Sequence, residues 1–433
     1  MKKDLKTRLV SRKISPPNPI LMTIGMGVLG ILNRIYKVKF THDYDRHAIK
    51  GQPTVLLSSH ASRLEFIYSI YGFGRKDINV VCGYQNIIQK GLYPLFLALG
   101  VISKYLYQPD FQCVKKMLRV LERGGAIGLF PEGIQSTSGS VHPINPATAK
   151  FIKKSKANIV VCTTKGAYLA TNRYSSDRKK GYIGIDYSLL FTPAMLEELT
   201  EEQIYRKILE KISYNDFAYN KVARNQYVGK QSNAFGINKI LYKCPACKQE
   251  HCLNVEKDWI LCGNCDFKVR VNEYYDLVDT EDKVYPFDID AWYKWQRRSV
   301  AEQVKADDFV LELNGCLCTL KLDKLRKPPY DRAVLSKGKA KLTNCGMIFE
   351  GYLDGEKVDF DFPAMSLYSL TLTTKNELEF YCNSDYFMLV PDNVESGLIK
   401  WTLAAEEIHN LHDKRWKTVC EDVYEYQKGD ICV

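Results

Sequence analysis

The sequence predicts an α/β fold with a mostly parallel sheet covered by helices, followed by a small cysteine-rich module and an antiparallel β region. Between residues 51 and 187, short apolar runs alternate with helical patterns, which is typical of parallel strands joined by crossover helices. Two Cys-x2-Cys pairs follow, and the last third of the chain has short segments of alternating polarity. With 433 residues, the chain is long enough for two or three domains, each with its own core.

The first 50 residues combine positive charge with an apolar run from Ile20 to Leu32. A helix of thirteen residues rises only about 20 Å, which is short of the roughly 30 Å hydrocarbon core of a bilayer. A secretion signal, a core helix and an anchor lying in the membrane surface are all possible, but no small-x-small cleavage site follows. We favour the anchor, continued amphipathically through Ile35, Tyr36, Val38 and Phe40. Its basic residues are Lys2, Lys3, Lys6, Arg8, Arg12 and Lys13.

Apolar runs and helical spacing predict the elements of the α/β region. A helix is expected from Phe111 to Leu121 and a charged helix from Glu197 to Ser213, before a connector rich in Tyr and Asn that ends at Gly236. The predicted strands are Thr54–Leu57, Ile78–Cys82, Ala126–Phe130, Ile159–Thr163 and Ile183–Tyr187.

Two polar clusters follow predicted strands, where open α/β sheets place their ligands. The first contains His60, with Glu65 five positions further on, and the second contains Glu132. A histidine paired with a carboxylate is a common general base. Five helical residues turn the chain by about 140° beyond one full turn, so the pair can meet only if His60 lies in the loop and Glu65 in the first helical turn. Since no serine or cysteine nucleophile motif accompanies them, we expect direct proton abstraction from a substrate hydroxyl.

Together, Ser59-His60-x4-Glu65 and Phe130-Pro131-Glu132-Gly133-Ile134-Gln135-Ser136 resemble the Asn-His-x4-Asp and Phe-Pro-Glu-Gly-Thr-Arg-Ser motifs of the glycerolipid acyltransferase family, typified by 1-acyl-glycerol-3-phosphate acyltransferases. The resemblance covers residues from near Gly51 to near Leu190. It implies that His60 deprotonates an acceptor hydroxyl, which then attacks an acyl thioester. The donor would be acyl-CoA or acyl carrier protein. The acceptor site would be lined by Phe130, Pro131, Glu132 and Gly133.

Three positions depart from the family pattern. Glu65 replaces an aspartate, and Gln135 stands where the family has an arginine that holds the acceptor phosphate. An amide cannot neutralise a phosphate as a guanidinium does. Lys104 matches another family arginine only loosely, and Arg63 is a further cation within the His60 motif. The resemblance therefore implies an acyltransferase whose acceptor is a lysophospholipid or another glycerol-phosphate-type hydroxyl.

Paired cysteines predict a zinc ribbon. The first pair is separated from the second by fourteen residues, and each pair can supply two thiolates to tetrahedral zinc. His251 and Cys252 lie between the pairs and are alternative ligands. Four thiolates leave no open coordination position, so the zinc would be structural, with nucleic-acid or protein recognition as the second interpretation. The predicted ligands are Cys244, Cys247, Cys262 and Cys265. Other cysteines, such as Cys82, Cys113 and Cys162, lie in or beside apolar runs, which fits a reducing cytosol.

Alternating segments between Phe309 and Phe387 predict a meandering antiparallel barrel. One C-terminal helix is expected to follow it, with an apolar stripe that includes Leu398, Trp401 and Ile408. This arrangement looks like the pleckstrin-homology or GRAM superfold, which hosts many functions. The barrel would bind lipid headgroups or a partner, or pack against the enzyme.

The predicted organisation is a membrane-associating segment over residues 1–50, an acyltransferase domain over 51–236, a zinc ribbon over 237–275 and a β-rich domain over 276–433. The predicted function is O-acyl transfer at the cytoplasmic face of the cell membrane, with membrane lipids and an acyl thioester as partners. Structural zinc is the expected metal, and no nucleic-acid partner is expected. The alternative is a catalytically silent lipid- or nucleic-acid-binding adaptor acting through the ribbon and the barrel.

Overall fold

A computed structural model describes residues 12–89, 93–106, 109–320, 332–393 and 397–431. Four of the predicted anchor's basic residues, Lys2, Lys3, Lys6 and Arg8, lie outside these ranges. The described chain divides into two compact units. The first contains residues 12–89, 93–106, 109–171 and 181–219, and the second contains residues 172–180, 220–320, 332–393 and 397–431.

A seven-stranded sheet forms the centre of the first unit, in the order β1-β7-β6-β2-β5-β3-β4. All neighbouring strands are parallel except β6 and β7, which confirms the predicted α/β fold with a parallel-rich sheet. Because β2 and β5 are parallel neighbours, their carboxyl ends lie at the same edge. The strands are β1 Lys39–His42, β2 Thr54–Ser58, β3 Ile78–Gly83, β4 Ile102–Lys104, β5 Ala126–Leu129, β6 Asn158–Lys165 and β7 Gly184–Phe191.

Several helices pack apolar side chains against this sheet. Met117, Val120 and Leu121 of α5 join a core that includes Val55 of β2 and Ile127 of β5. The Asp110 side chain starts α5 by accepting a hydrogen bond from the Cys113 N–H. The helices are α1 Pro19–Ile35, α2 Glu65–Phe73, α3 Tyr84–Gln89, α4 Tyr93–Ala98, α5 Phe111–Glu122, α6 Ala147–Ser155, α7 Ala167–Ala170, α8 Pro193–Glu198, α9 Glu201–Ile212 and α10 Asp216–Ala223.

The N-terminal helix ends earlier than the sequence pattern predicts. It stops at Ile35, Lys37 adopts a positive φ of 52°, and Lys39 pairs with Gly184 as β1 begins. Residues 36–40 therefore do not continue the amphipathic helix, because main-chain pairing with β7 draws them into the sheet. No helix in the described ranges is both long enough and apolar enough to cross a membrane.

The charged helix expected from Glu197 to Ser213 is two helices. Leu199 and Thr200 are extended, and Thr200 forms a capping box with Gln203 that starts α9. Strands β1 and β4, which lie at the two ends of the sheet, were not predicted.

A small antiparallel sheet and a long helix begin the second unit after a 3₁₀ turn at Ile237–Lys239. Its strand order is β11-β10-β9-β8. The strands are β8 Leu253–Glu256, β9 Trp259–Cys262, β10 Lys268–Val271 and β11 Leu277–Val278, and helix α11 spans Ile289–Gln303.

The rest of the second unit is an antiparallel sheet in the order β15-β14-β13-β12-β19-β18-β17, with β16 paired to β14. Pairing in the described residues does not join β15 to β17, so closure into a barrel stays a prediction. The strands are β12 Val310–Leu320, β13 Arg332–Thr343, β14 Gly346–Leu353, β15 Glu356–Lys357, β16 Phe360–Pro363, β17 Thr371–Leu372, β18 Leu378–Cys382 and β19 Asp385–Pro391.

Two C-terminal helices, α12 Ile399–His412 and α13 Lys414–Tyr424, stand where one was expected. The expected stripe residues Leu398, Trp401 and Ile408 are buried, but burial extends around the whole helix from Ile399 to Asn410. The polar members of this helix are buried because they have partners: Arg297 of α11 bonds both Glu406 and Glu407.

Candidate active site and metal site

The loop between β2 and α2, here called the His60 loop (residues 59–64), holds the proposed base. Because β2 ends at Ser58 and α2 begins at Glu65, the histidine lies in the loop and the carboxylate in the first helical turn. His60 Nδ1 is 2.5 Å from Glu65 Oε1, and Glu65 Oε2 accepts the Ser62 N–H. Glu65 is buried, whereas the His60 side chain is 23% exposed. The carboxylate thus orients the imidazole and leaves Nε2 as the ring nitrogen for a substrate.

The Pro-Glu-Gly segment (residues 130–136) follows β5, the strand beside β2. Its first turn is closed by a 3.1 Å hydrogen bond from the Gly133 N–H to the Phe130 carbonyl. Gly133 has a φ of +76°, a conformation that glycine adopts without steric cost. The Phe130 ring lies 4.9 Å from the His60 ring, centroid to centroid. The two predicted clusters, far apart in sequence, therefore meet at one edge of the sheet.

Glu132 lies beneath this surface and is only 6% exposed. Its Oε1 accepts the His60 N–H at 2.6 Å, and its Oε2 accepts the His142 N–H at 2.8 Å and the Tyr214 hydroxyl at 3.3 Å. Burial raises the pKa of Glu132 to about 7, although the two backbone donors favour the ionised form.

Further bonds join the two segments. Gln135 Nε2 donates to the Ser62 carbonyl at 2.8 Å, and the Ser136 N–H donates to the His60 carbonyl at 2.9 Å. The Pro-Glu-Gly segment thus runs beside the His60 loop and bonds to its main chain.

The two candidate cations occupy different places. Arg63 is in the His60 loop and half-buried, and burial lowers the pKa of its guanidinium. Lys104 ends β4 and donates to the Tyr105 carbonyl at 3.2 Å. Since β5 and β3 separate β2 from β4, the axes of β2 and β4 are about 14 Å apart at ordinary strand spacing. The structure therefore places Lys104 at the same sheet edge as His60 but not beside it.

His142 and Tyr214 are site residues that the sequence analysis missed. His142 lies in a buried polar loop, where its Nε2 accepts the Thr137 N–H at 3.3 Å. Tyr214 follows α9 and is also buried. Neither belongs to a local motif: His142 reaches Glu132 through its backbone N–H, which carries no sequence signal, and Tyr214 comes from a segment 82 residues away.

Four cysteines of the second unit form a candidate metal site. The sulfur atoms of Cys244, Cys247, Cys262 and Cys265 all lie within 4.8 Å of one another. A closed set of four thiolates at this spacing fits a tetrahedral metal ion. Cys252 is outside the group, although its sulfur lies 3.4 Å from that of Cys262.

The first cysteine pair is packed into the second unit. Trp292 Nε1 of α11 donates to the Lys243 carbonyl at 2.9 Å, and Lys400 of α12 pairs with Glu250 at 2.6 Å. His251, the other alternative ligand, lies outside the four-cysteine group, with its ring 5.5 Å from that of Tyr242. These contacts tie the cysteine turn to two helices, as a structural metal site requires.

No protein-family model matches the chain, and a comparison with curated protein sequences yields no match. Among solved structures, the chain is similar to the 1-acyl-sn-glycerophosphate (LPA) acyltransferase PlsC from Thermotoga maritima. The TM-score is 0.37 at 12% sequence identity, over 46% of this chain and 79% of that one. A similarity this distant does not establish an activity.

Proposed function

We propose that the protein is an O-acyltransferase in which His60 is the general base. The observation that carries the proposal is the 2.5 Å contact between His60 Nδ1 and Glu65, located where two neighbouring parallel strands end. A histidine oriented by a buried carboxylate, with its other nitrogen on a partly exposed side chain, is suited to accept a proton from a hydroxyl.

Proton transfer and acyl transfer follow from this arrangement. His60 Nε2 takes the proton of the acceptor hydroxyl while the resulting oxygen nucleophile attacks the thioester carbonyl. The new C–O bond forms, the C–S bond breaks, and the imidazolium returns the proton to the leaving thiolate. Glu65 stabilises the imidazolium during the step and keeps the Nδ1–H tautomer. No covalent enzyme intermediate is needed.

A lysophospholipid or another glycerol-phosphate-type molecule is the proposed acceptor, and acyl-CoA or acyl carrier protein the proposed donor. Arg63 and Lys104 supply positive charge at the sheet edge that carries His60, which supports an acceptor with a phosphate. Because Arg63 and Lys104 lie at different distances from His60, they would suit an acceptor whose headgroup extends along the sheet edge.

Helix α1 supports a membrane-bound location at the cytoplasmic face. It packs on α2, and its outward face carries branched apolar side chains that are each more than half exposed. These residues are Ile20, Ile24, Val28, Ile31 and Ile35. The chain has no acidic residue from Leu5 to His42 but seven basic ones. An apolar face flanked by positive charge fits an anionic lipid surface, with the helix lying in its plane.

We also propose that the four-cysteine group binds zinc in a structural role. Thiolates are soft ligands that favour zinc. Four of them fill its tetrahedral coordination, so no position is left for a substrate.

Acyl transfer to a panel of lysolipids, measured by mass spectrometry with labelled acyl thioesters, tests the proposed function. We expect His60→Ala to lower turnover by about 10²- to 10⁴-fold with the fold intact. His47→Ala, at an exposed histidine of the same unit, is the matched control and should be silent. Near-normal turnover by His60→Ala would refute the mechanism. Absence of turnover in the unaltered protein, with vesicle binding retained, would favour the adaptor.

A further inference from the structure

We propose that Glu132 and Gln135 are positioning residues that hold the main chain of the His60 loop, and that they do not bind the acceptor. This inference rests on the proposed function for its catalytic consequence. The resemblance alone would place both side chains in the acceptor site, whereas their hydrogen bonds lead away from it.

The Glu132 carboxylate is occupied by the protein itself. Its two oxygens accept three hydrogen bonds, from the backbone of His60, the backbone of His142 and the hydroxyl of Tyr214. A carboxylate can accept about four hydrogen bonds, so three of these positions are already filled. Glu132 is also buried, with only 6% of it exposed. Its negative charge would also repel an acceptor phosphate. The carboxylate is therefore suited to join two loops, not to receive a substrate.

Four hydrogen bonds hold the main-chain N–H and C=O groups of two loop residues, His60 and Ser62. The N–H of His60 is held by Glu132 and its carbonyl by the Ser136 N–H. The N–H of Ser62 is held by Glu65 and its carbonyl by the Gln135 amide. Every main-chain polar group of these two loop residues thus has a partner, and three of the four partners come from the Pro-Glu-Gly segment.

Gln135 suits this position because its amide donates to a carbonyl without adding charge. Its proposed role is therefore to hold the Ser62 carbonyl. Arg63 and Lys104 are the residues proposed to bind the acceptor headgroup. Where the resembled family has an arginine that holds the acceptor phosphate, Gln135 would therefore hold the loop instead.

Ionisation of Glu132 matters for the same reason. The ionised carboxylate accepts from all three donors, whereas a protonated carboxyl has one oxygen that carries a hydrogen and has less acceptor capacity. The titratable groups around it are His60, Glu65, His142 and Tyr214, and burial raises the pKa of Glu132 to about 7. As pH falls through this range, the carboxylate is protonated and its hydrogen bonds to the backbone of the two loops weaken, because a neutral carboxyl is a poorer acceptor than a carboxylate. Turnover should then fall.

The experiment compares the full-length protein with Glu132→Gln and Gln135→Ala, using Glu122→Gln on the exposed end of α5 as the matched control. Steady-state kinetics separates kcat from the acceptor KM, and hydrogen–deuterium exchange follows the peptide over residues 58–65. In Glu132→Gln one amide N–H faces a backbone N–H. We expect kcat to fall about 10- to 100-fold with the acceptor KM within about twofold, and exchange in the peptide to become faster.

The pH profile adds a readout that a general loss of stability would not produce. The acid limb of log kcat should be steeper in the unaltered protein than in Glu132→Gln, because protonation of Glu132 can weaken the hold on the loop only in the unaltered protein. Gln135→Ala should accelerate exchange and lower kcat in the same direction, while keeping the steeper limb.

Contrary results are equally well defined. A large increase in acceptor KM, with kcat and exchange unchanged, would make Glu132 an acceptor ligand and overturn the proposal. If the unaltered protein transfers no acyl group, the proposed function fails, and exchange alone decides the positioning: unchanged exchange in both variants overturns it. If Glu132→Gln does not fold, Gln135→Ala and Glu132→Asp decide by the same measurements.

Discussion

The longer side chain at position 65 reaches two partners in the His60 loop. One carboxylate oxygen meets His60 Nδ1 and the other accepts the Ser62 N–H. An aspartate from the same helical position would be one methylene shorter. The longer Glu65 side chain therefore still places one carboxylate oxygen against His60, while its other oxygen binds the Ser62 N–H.

Substitutions of Glu65 test this geometry. We expect Glu65→Asp to keep part of the activity and Glu65→Gln to lower kcat/KM about 100-fold or more, because an amide cannot stabilise the imidazolium. Steady-state kinetics checks both variants. Activity of Glu65→Gln close to that of the unaltered protein would mean that the carboxylate charge is not used.

Substitutions of the cations Arg63 and Lys104 test whether the acceptor carries a phosphate. We expect Arg63→Ala and Lys104→Ala each to raise the KM for phosphorylated acceptors about 10- to 150-fold more than the KM for the acyl donor, since losing a charged hydrogen bond costs about 1.5–3 kcal/mol. Arg119→Ala on α5 is a control of the same charge, and it should change neither KM. If both site variants keep a strong preference for lysophosphatidate over neutral lysolipids, these residues do not bind the phosphate.

The outward surface of helix α1 is more apolar than that of an ordinary water-exposed helix. Its outward positions are apolar apart from Thr23, Arg34 and glycines, whereas an ordinary surface helix is polar on its outer face. Burying an isoleucine side chain contributes about 1.5–3 kcal/mol, and a basic residue near an anionic surface about 1 kcal/mol. The helix can therefore hold the protein on a membrane without crossing it.

Vesicle co-sedimentation tests this element. We expect the double variant Ile24→Gln, Ile31→Gln to bind vesicles of phosphatidylcholine and phosphatidylserine much more weakly, and added salt to weaken binding further. Val222→Gln removes an isolated apolar side chain that is 86% exposed, and it should have no effect. Binding that survives both the double substitution and high salt would assign the membrane contact to another part of the chain.

The cysteine ribbon is an element that depends on its metal. Its first turn is bound to α11 and α12, so loss of the metal should destabilise these helices and change activity only indirectly. We expect one zinc per chain, as the four-cysteine group allows. Cys244→Ser combined with Cys262→Ser should abolish it, and chelation should lower the Tm.

Cys252→Ser is the informative control for the ribbon. Its sulfur touches Cys262 but is not one of the four, so this variant should keep its zinc. Metal analysis by mass spectrometry checks the set. Loss of zinc in Cys252→Ser, or its absence from the native protein, would contradict the assigned ligands.

At the scale of the whole molecule, two compact units carry different chemistry. The first contains the parallel-rich sheet, the candidate base and the apolar helix face, and the second contains the candidate metal site and the antiparallel sheet. The net charge of +11 fits association with anionic lipid, which is where the proposed acceptor would be found.

Local patterns were sufficient for several features. Buried strands such as β2 and β5 appear as short apolar runs, α5 as a helical stripe, and the cysteine pairs as a metal-binding spacing. The placement of His60 in a loop and Glu65 in a first helical turn also followed from geometry along the chain. Such features are readable because the residues that determine them are neighbours in sequence.

Tertiary structure alone decided which strands are neighbours. β1 and β4, at the two ends of their sheet, were not predicted, because strand pairing is made by backbone groups that every residue carries. The same applies to Glu132, whose three donors lie 72, ten and 82 residues away in the chain. Sequence could place this carboxylate at the end of a strand. Only the folded chain buries it, which raises its pKa, and surrounds it with the donors that hold it against the His60 loop.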